Sequence, residues 1–141
     1  MPNTYTAATR DPAPSHEELT SAHKGGCKAA VALAESLARK FVVDTAAARR
    51  LAILLGRELE RIAGAERDCG RSRDPQQKFT NSYQAMLDQH RLAFLAFEQL
   101  SRELEKDLPL DFLSLSRLVA DIEHHLNEAE HIHQECLAAA A

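Results

Sequence analysis

Tryptophan is absent from this chain of 141 residues, and all aromatics together make up only 5% of it. Alanine and leucine dominate the apolar set instead. Small and straight-chain residues lose little side-chain freedom in a helix, so the composition favours helices over strands. Cysteine is also scarce: Cys27, Cys69 and Cys136 form an odd set with no paired spacing. That speaks against a disulfide framework and predicts a reduced, cytoplasmic setting. No apolar run approaches the roughly 20 residues of a membrane span, so no membrane partner is expected. The opening "MPNTYTAATRDPAPS" lacks the apolar centre of a signal peptide. A phosphate-binding loop and a strand-borne serine elbow are missing too, so none of the familiar catalytic signatures is present.

What remains is ordinary for one soluble domain: 45% apolar residues, 27% charged residues and a net charge of −4. This acidic balance argues against a nucleic-acid partner, which calls for a basic face. The charge is uneven, with eight basic and five acidic residues from Arg49 to Lys78 but three and ten from Glu98 to Glu135. One helix complementing another across a bundle accounts for this. The alternative is a polarised surface that steers a charged partner.

Hydrophobic periodicity organises the rest. Residues 1–14 are polar and proline-bearing and read as a flexible tail. Ser15 and Glu18 have the spacing of a capping box. Leu19, Gly26, Ala30, Leu33, Leu37 and Phe41 then recur at helical spacing, which predicts a first helix over 16–42. Within it, Gly25-Gly26 predicts a kink, a break or the close approach of another helix. Asp44 is placed to cap a second helix, with Ala48, Leu51, Leu55, Leu59 and Ile62 on one face and Gly70 at its end. Asp74 before Pro75 caps a third, which runs to about Leu108 with Tyr83, Leu87, Phe94, Phe97 and Leu104 inward. Asp111 caps a fourth, whose apolar face holds Leu115, Leu118, Val119, Ile122, Leu126, Ala129 and Cys136. Short links make neighbouring helices antiparallel. The expected fold is all-α: an antiparallel up-down-up-down four-helix bundle over 15–137, with a frayed end at 138–141.

The segment "EHHLNEAEHIHQEC", residues 123–136, concentrates four of the seven histidines. With Ile122 at the centre of the apolar stripe, His124 and His131 fall on the far side with Asp121, Glu128 and Glu135. Glu128 and His131 have the Glu-x-x-His spacing that carboxylate-bridged di-iron bundles use, but those sites point inward and need a second such pair. The second helix has no histidine, and the third has only His90, with no glutamate three residues before it. This stripe therefore reads as a solvated face. His125 and His133 fall on the apolar side. At a rise of about 1.5 Å per residue, Cys27, Glu58 and His125 each lie about 18 Å, and His90 about 24 Å, from the same end of the bundle. One core layer is thus expected to collect Cys27 or His23, Glu58, His90 and His125. Imidazole, carboxylate and thiolate suit zinc or iron, while a buried hydrogen-bonded network is the metal-free alternative.

Two resemblances are local. Arg117 and His124 in "RLVADIEH" resemble the Arg-x(4–6)-His element of HEPN-type ribonucleases, which are small helical bundles; the resemblance implies RNA cleavage. Leu118 stands where that family commonly has a polar residue. "AHKGG" around His23 is similar to the phosphorylatable segment of histidine-phosphotransfer bundles, but Gly26 and Cys27 stand where that family has lysine and glycine. The expectation from sequence is a non-catalytic bundle that binds a protein partner or a second copy of itself, with a metal-binding bundle as the alternative.

Overall fold

The computed structural model describes residues 13–39, 44–72, 81–106 and 110–140. They form four helices: α1 (Ala13–Leu37), α2 (Thr45–Ser72), α3 (Asn81–Leu104) and α4 (Phe112–Ala140). Each buries one stripe at three- and four-residue steps: Leu19, Ala22, Ala30 and Leu33 on α1, and Leu55, Leu59 and Ile62 on α2. The stripe on α3 runs through Met86, Ala93 and Leu100, and that on α4 through Leu115, Val119, Ile122, Leu126 and Ala129. These stripes meet in one core, the only way four amphipathic helices can each hide an apolar face. The fold is an all-α four-helix bundle. Among the described residues, no helix is long and apolar enough to cross a membrane.

Contacts run in opposite senses along neighbouring helices, as an up-down-up-down order requires. Between α1 and α4, His16 meets His133, His23 meets Glu130 and Cys27 meets Asn127. Between α2 and α3, Arg49 reaches the Leu104 carbonyl, Phe97 lies against Gly56, and His90 meets Glu66. The α2–α3 seam is much the loosest of the four.

The ends show where local chemistry decides. Asp44 accepts from Ala47 N at 3.0 Å and caps α2. Asp111 accepts from Leu113 N at 3.1 Å, Ser114 N at 3.2 Å and Ser114 Oγ at 2.9 Å. Those bonds, led by the Ser114 backbone N–H, hold the Asp111 carboxyl below its ordinary value of 3.8. A depressed carboxylate stabilises the fold above its ordinary value and stops doing so as pH falls through its folded value. Asp111→Ala is therefore expected to lower the melting temperature at neutral pH, and the gap from wild type should close once pH is well below 3.8. Thermal unfolding followed by circular dichroism at both pH values checks this; an unchanged gap in acid would contradict it.

Other expected boundaries shift. α1 begins at Ala13, so Ser15 lies inside the helix rather than at its cap. It ends at Leu37 rather than 42; Phe41 lies outside the described residues, as do Asp74, Pro75 and Leu108. Gly70 does not end α2, which continues to Ser72. No described glycine has a positive φ; Gly70 instead makes room for Tyr83, whose hydroxyl would lie 3.0 Å from an added Cβ. Gly25 and Gly26 do not break α1, which is continuous from Ala13 to Leu37. They are close approaches: a Cβ on Gly25 would collide with the Glu58 carboxylate, and one on Gly26 would lie 2.6 Å from Leu126 Cδ1.

Candidate metal centre

At the end of the bundle where α1 begins and α4 ends, all four helices turn polar groups inward. On α1, His16, Thr20 and His23 follow one another at four and three residues, so they share a face with Leu19. On α4, His133 and Gln134 follow Glu130 by three and four residues. α2 supplies Glu66 and Cys69, and α3 supplies His90. His23 and His90 are 0% exposed and His133 is 1% exposed, yet each ring has partners. Burial of this kind is tolerated only when such groups are satisfied.

The bonds form a continuous chain. His90 Nδ1 donates to Glu66 Oε1 at 2.6 Å, and His90 Nε2 lies 2.8 Å from His23 Nε2. His23 Nδ1 donates to Glu130 Oε1 at 2.8 Å, and His133 Nδ1 lies 3.3 Å from the same oxygen. His133 Nε2 is 2.9 Å from His16 Nδ1, which has Cys69 Sγ 3.5 Å away. Gln134 Nε2 donates to Glu130 Oε2 at 2.6 Å. Burial alone would push the Glu130 carboxyl up. Bonds from His133, His23 and Gln134 outweigh it and hold the group well below the usual carboxylate range. The balance at His23 is the reverse: burial lowers its pKa despite the bond to Glu130, with His90 adding to the effect. The His23–Glu130 contact is thus a ring N–H bonded to a carboxylate more than a full ion pair.

His23, Glu130 and His133 each bring one ligand atom to within 4.8 Å of the others, a grouping that could hold a metal ion. Metal–ligand bonds of about 2.0–2.1 Å in a tetrahedron place ligand atoms about 3.3 Å apart. The 3.3 Å separation of His133 Nδ1 from Glu130 Oε1 already matches that, and the 2.8 Å separation of His23 Nδ1 needs a small outward shift. A cleft of about 240 Å³, lined by His23, Lys24, Cys27, Lys28, Asn127 and Glu130, opens on two of these three residues.

The residues singled out from sequence divide. His23 and His90 meet, ring to ring. Glu58 lies in the α1–α2 seam, where it accepts from Arg61 at 2.6 Å and faces Gly25. His125 is half-buried, its Nδ1 2.7 Å from Gln89 Oε1, and burial together with His124 lowers its pKa. Cys27 donates to Asn127 Oδ1 at 3.3 Å; burial, with Glu123 and Glu130, pushes its thiol up to about 11, so it is no thiolate at neutral pH. The expected layer of Glu58, His90 and His125 does not form. α2 and α4 run two and three residues past Gly70 and Leu137, about 3 and 4.5 Å, which accounts for part of the displacement. The actual partners, Glu66 and Glu130, lie eight and five residues further along, about 12 and 7.5 Å at helical rise.

The sequence held usable signals for the missed residues. His133 lies nearer the centre of the Ile122 stripe than His125 does, and Glu130 precedes it by three. Glu66 and Cys69 follow Ile62 by four and seven residues, and His16 precedes Leu19 by three. His131, with 72% of its side chain exposed, bonds to Glu135 at 2.9 Å on the outer face. Arg117 and His124 are exposed and outside the cluster. His23 is enclosed, unlike a histidine that must receive a phosphoryl group from a partner. Comparison with known protein families, curated proteins and solved structures gives no match to this chain.

Proposed function

We propose that the protein binds one transition-metal ion, zinc or iron(II), through His23, Glu130 and His133. The observation that carries this reading is the convergence of two buried imidazoles and a carboxylate from α1 and α4 within 4.8 Å. Two histidines and one carboxylate suit either ion, and three protein ligands leave a position open to a small molecule. The cleft beside His23 and Glu130 gives that position a route to solvent. The metal-free full chain is expected to take up one equivalent of zinc, or of cobalt(II) with visible d–d absorption. His23→Ala and His133→Ala should lose that uptake. Failure of the wild-type chain to bind either ion stoichiometrically would overturn the proposal.

A second reading, binding of a protein partner or of a second copy, is favoured by the loose α2–α3 seam. Gly56, Leu59, Ala63, Phe94 and Phe97 line a groove of about 280 Å³ there that Glu60 and Glu98 also border, and Ile53 is 57% exposed alongside Phe97. Sedimentation velocity across a range of concentrations tests the homodimer, which Ile53→Glu should dissociate; a monomer throughout removes it.

A further inference from the structure

Each histidine of the triad has a second nitrogen, and what that nitrogen meets restricts how the ring can bind metal. Glu66 and Glu130 are both acceptors, so in the metal-free chain His90 Nδ1 and His23 Nδ1 must each carry a hydrogen. The two Nε2 atoms then present lone pairs to one another at 2.8 Å. Two acceptors at that distance repel unless a hydrogen lies between them. An extra proton between the two nitrogens would satisfy both, but it would turn one of these 0%-exposed rings into an imidazolium. A metal ion on His23 Nδ1 relieves the conflict without added ring charge. It takes the place of the Nδ1 hydrogen, and the neutral ring carries its hydrogen on Nε2 instead. Every bond then has one donor and one acceptor: His23 Nε2–H to His90 Nε2, and His90 Nδ1–H to Glu66 Oε1. The other ligand ring is arranged alike. With metal on His133 Nδ1, its Nε2–H donates to His16 Nδ1 across 2.9 Å.

We infer that His23 and His133 both bind the ion through Nδ1, and that His90 with Glu66 on one side and His16 on the other are positioning residues that hold the ligand rings by their Nε2–H groups. This rests on the metal-binding reading above and extends it to α2 and α3, which supply no ligand. Metal-bound histidines generally donate their second N–H to a carboxylate, carbonyl or water, and loss of that partner weakens binding. Here the carboxylate acts through an intervening imidazole, so the relay spans the bundle from α4 through α1 and α3 to α2.

The test uses the full chain loaded with cobalt(II). Proton NMR of the wild type is expected to show two hyperfine-shifted, solvent-exchangeable N–H resonances, one from each ligand ring. His90→Leu, which removes the acceptor for His23, should weaken cobalt binding about 10–100-fold and speed exchange of one resonance. His90→Gln, whose side-chain oxygen can accept in the same place, should recover most of the loss. Glu66→Gln, a milder change, should shift the same resonance and leave the other in place. Cobalt affinity unchanged in His90→Leu, or no shifted exchangeable protons in the loaded wild type, would overturn the inference with metal binding itself intact. Uptake of a second equivalent that depends on His90 and Glu66 would also overturn it, since those residues would then be ligands. A wild-type chain that binds no cobalt would fail the underlying reading instead.

Discussion

Glu130→Gln is expected to raise the dissociation constant for zinc or cobalt(II) by more than about 100-fold, beyond the 10–100-fold that follows loss of a ligand's supporting partner. Glu130 supplies the one negative charge in the triad, and its Oε1 lies 2.8 Å from His23 Nδ1 and 3.3 Å from His133 Nδ1. An amide keeps the shape and loses the charge. Its oxygen can still accept from His23, but its NH2 then faces the amide NH2 of Gln134, which now donates to Oε2 at 2.6 Å. That bond is exposed, so water can take the displaced donor, and the metal-free variant should lose only the net worth of one hydrogen bond, about 0.5–1.5 kcal/mol. Competition against a chromophoric chelator and urea unfolding measure the two effects. Affinity within threefold of wild type would remove Glu130 from the ligand set.

Leu126→Ala should destabilise the metal-free protein by about 2–5 kcal/mol, the range for removing a fully buried leucine. Leu126 is 0% exposed, and its Cδ1 reaches into the space that the missing side chain of Gly26 leaves on α1. This contact yields a sharper test than the single substitution. Gly26→Ala alone sets a helix-propensity gain of about 1 kcal/mol against overpacking of about 1–3 kcal/mol, and should destabilise or break even. In the Leu126→Ala background the added methyl enters the cavity, and the same change should stabilise. Urea unfolding of the four proteins gives the coupling directly. If Gly26→Ala has the same effect in both backgrounds, the close packing of α1 on α4 at this point is refuted.

Helix existence was legible in the residues because three- and four-residue apolar spacing is a local property. Caps were legible for the same reason: Asp44 and Asp111 bond to backbone two or three residues ahead of them. The direction of a side chain is nearly as local. Glu128-x-x-His131 and Glu130-x-x-His133 have the same spacing, but two residues turn a helix by roughly 200°. One pair consequently faces water and the other faces α1. The position of His133 near the middle of the Ile122 stripe already distinguished them.

What the sequence alone determined is therefore the four described helices, most of the residues that face their common core and the capped starts of α2 and α4. On α3 the buried stripe is Met86, Ala93 and Leu100, and the expected Leu87, Phe94 and Phe97 are only partly buried. The sequence did not determine which residues share a level. Each helix end displaced by one residue moves every side chain about 1.5 Å along the bundle axis, and errors at several ends add. Glu58 and His125 face the right general direction and lie too early in their helices, short of Glu66 and Glu130. Only packing between the helices, with Gly25 and Gly26 admitting α2 and α4 at close range, decides that His23 meets His90 and Glu130. The candidate site is a product of axial register, which neighbouring helices set by filling one another's gaps.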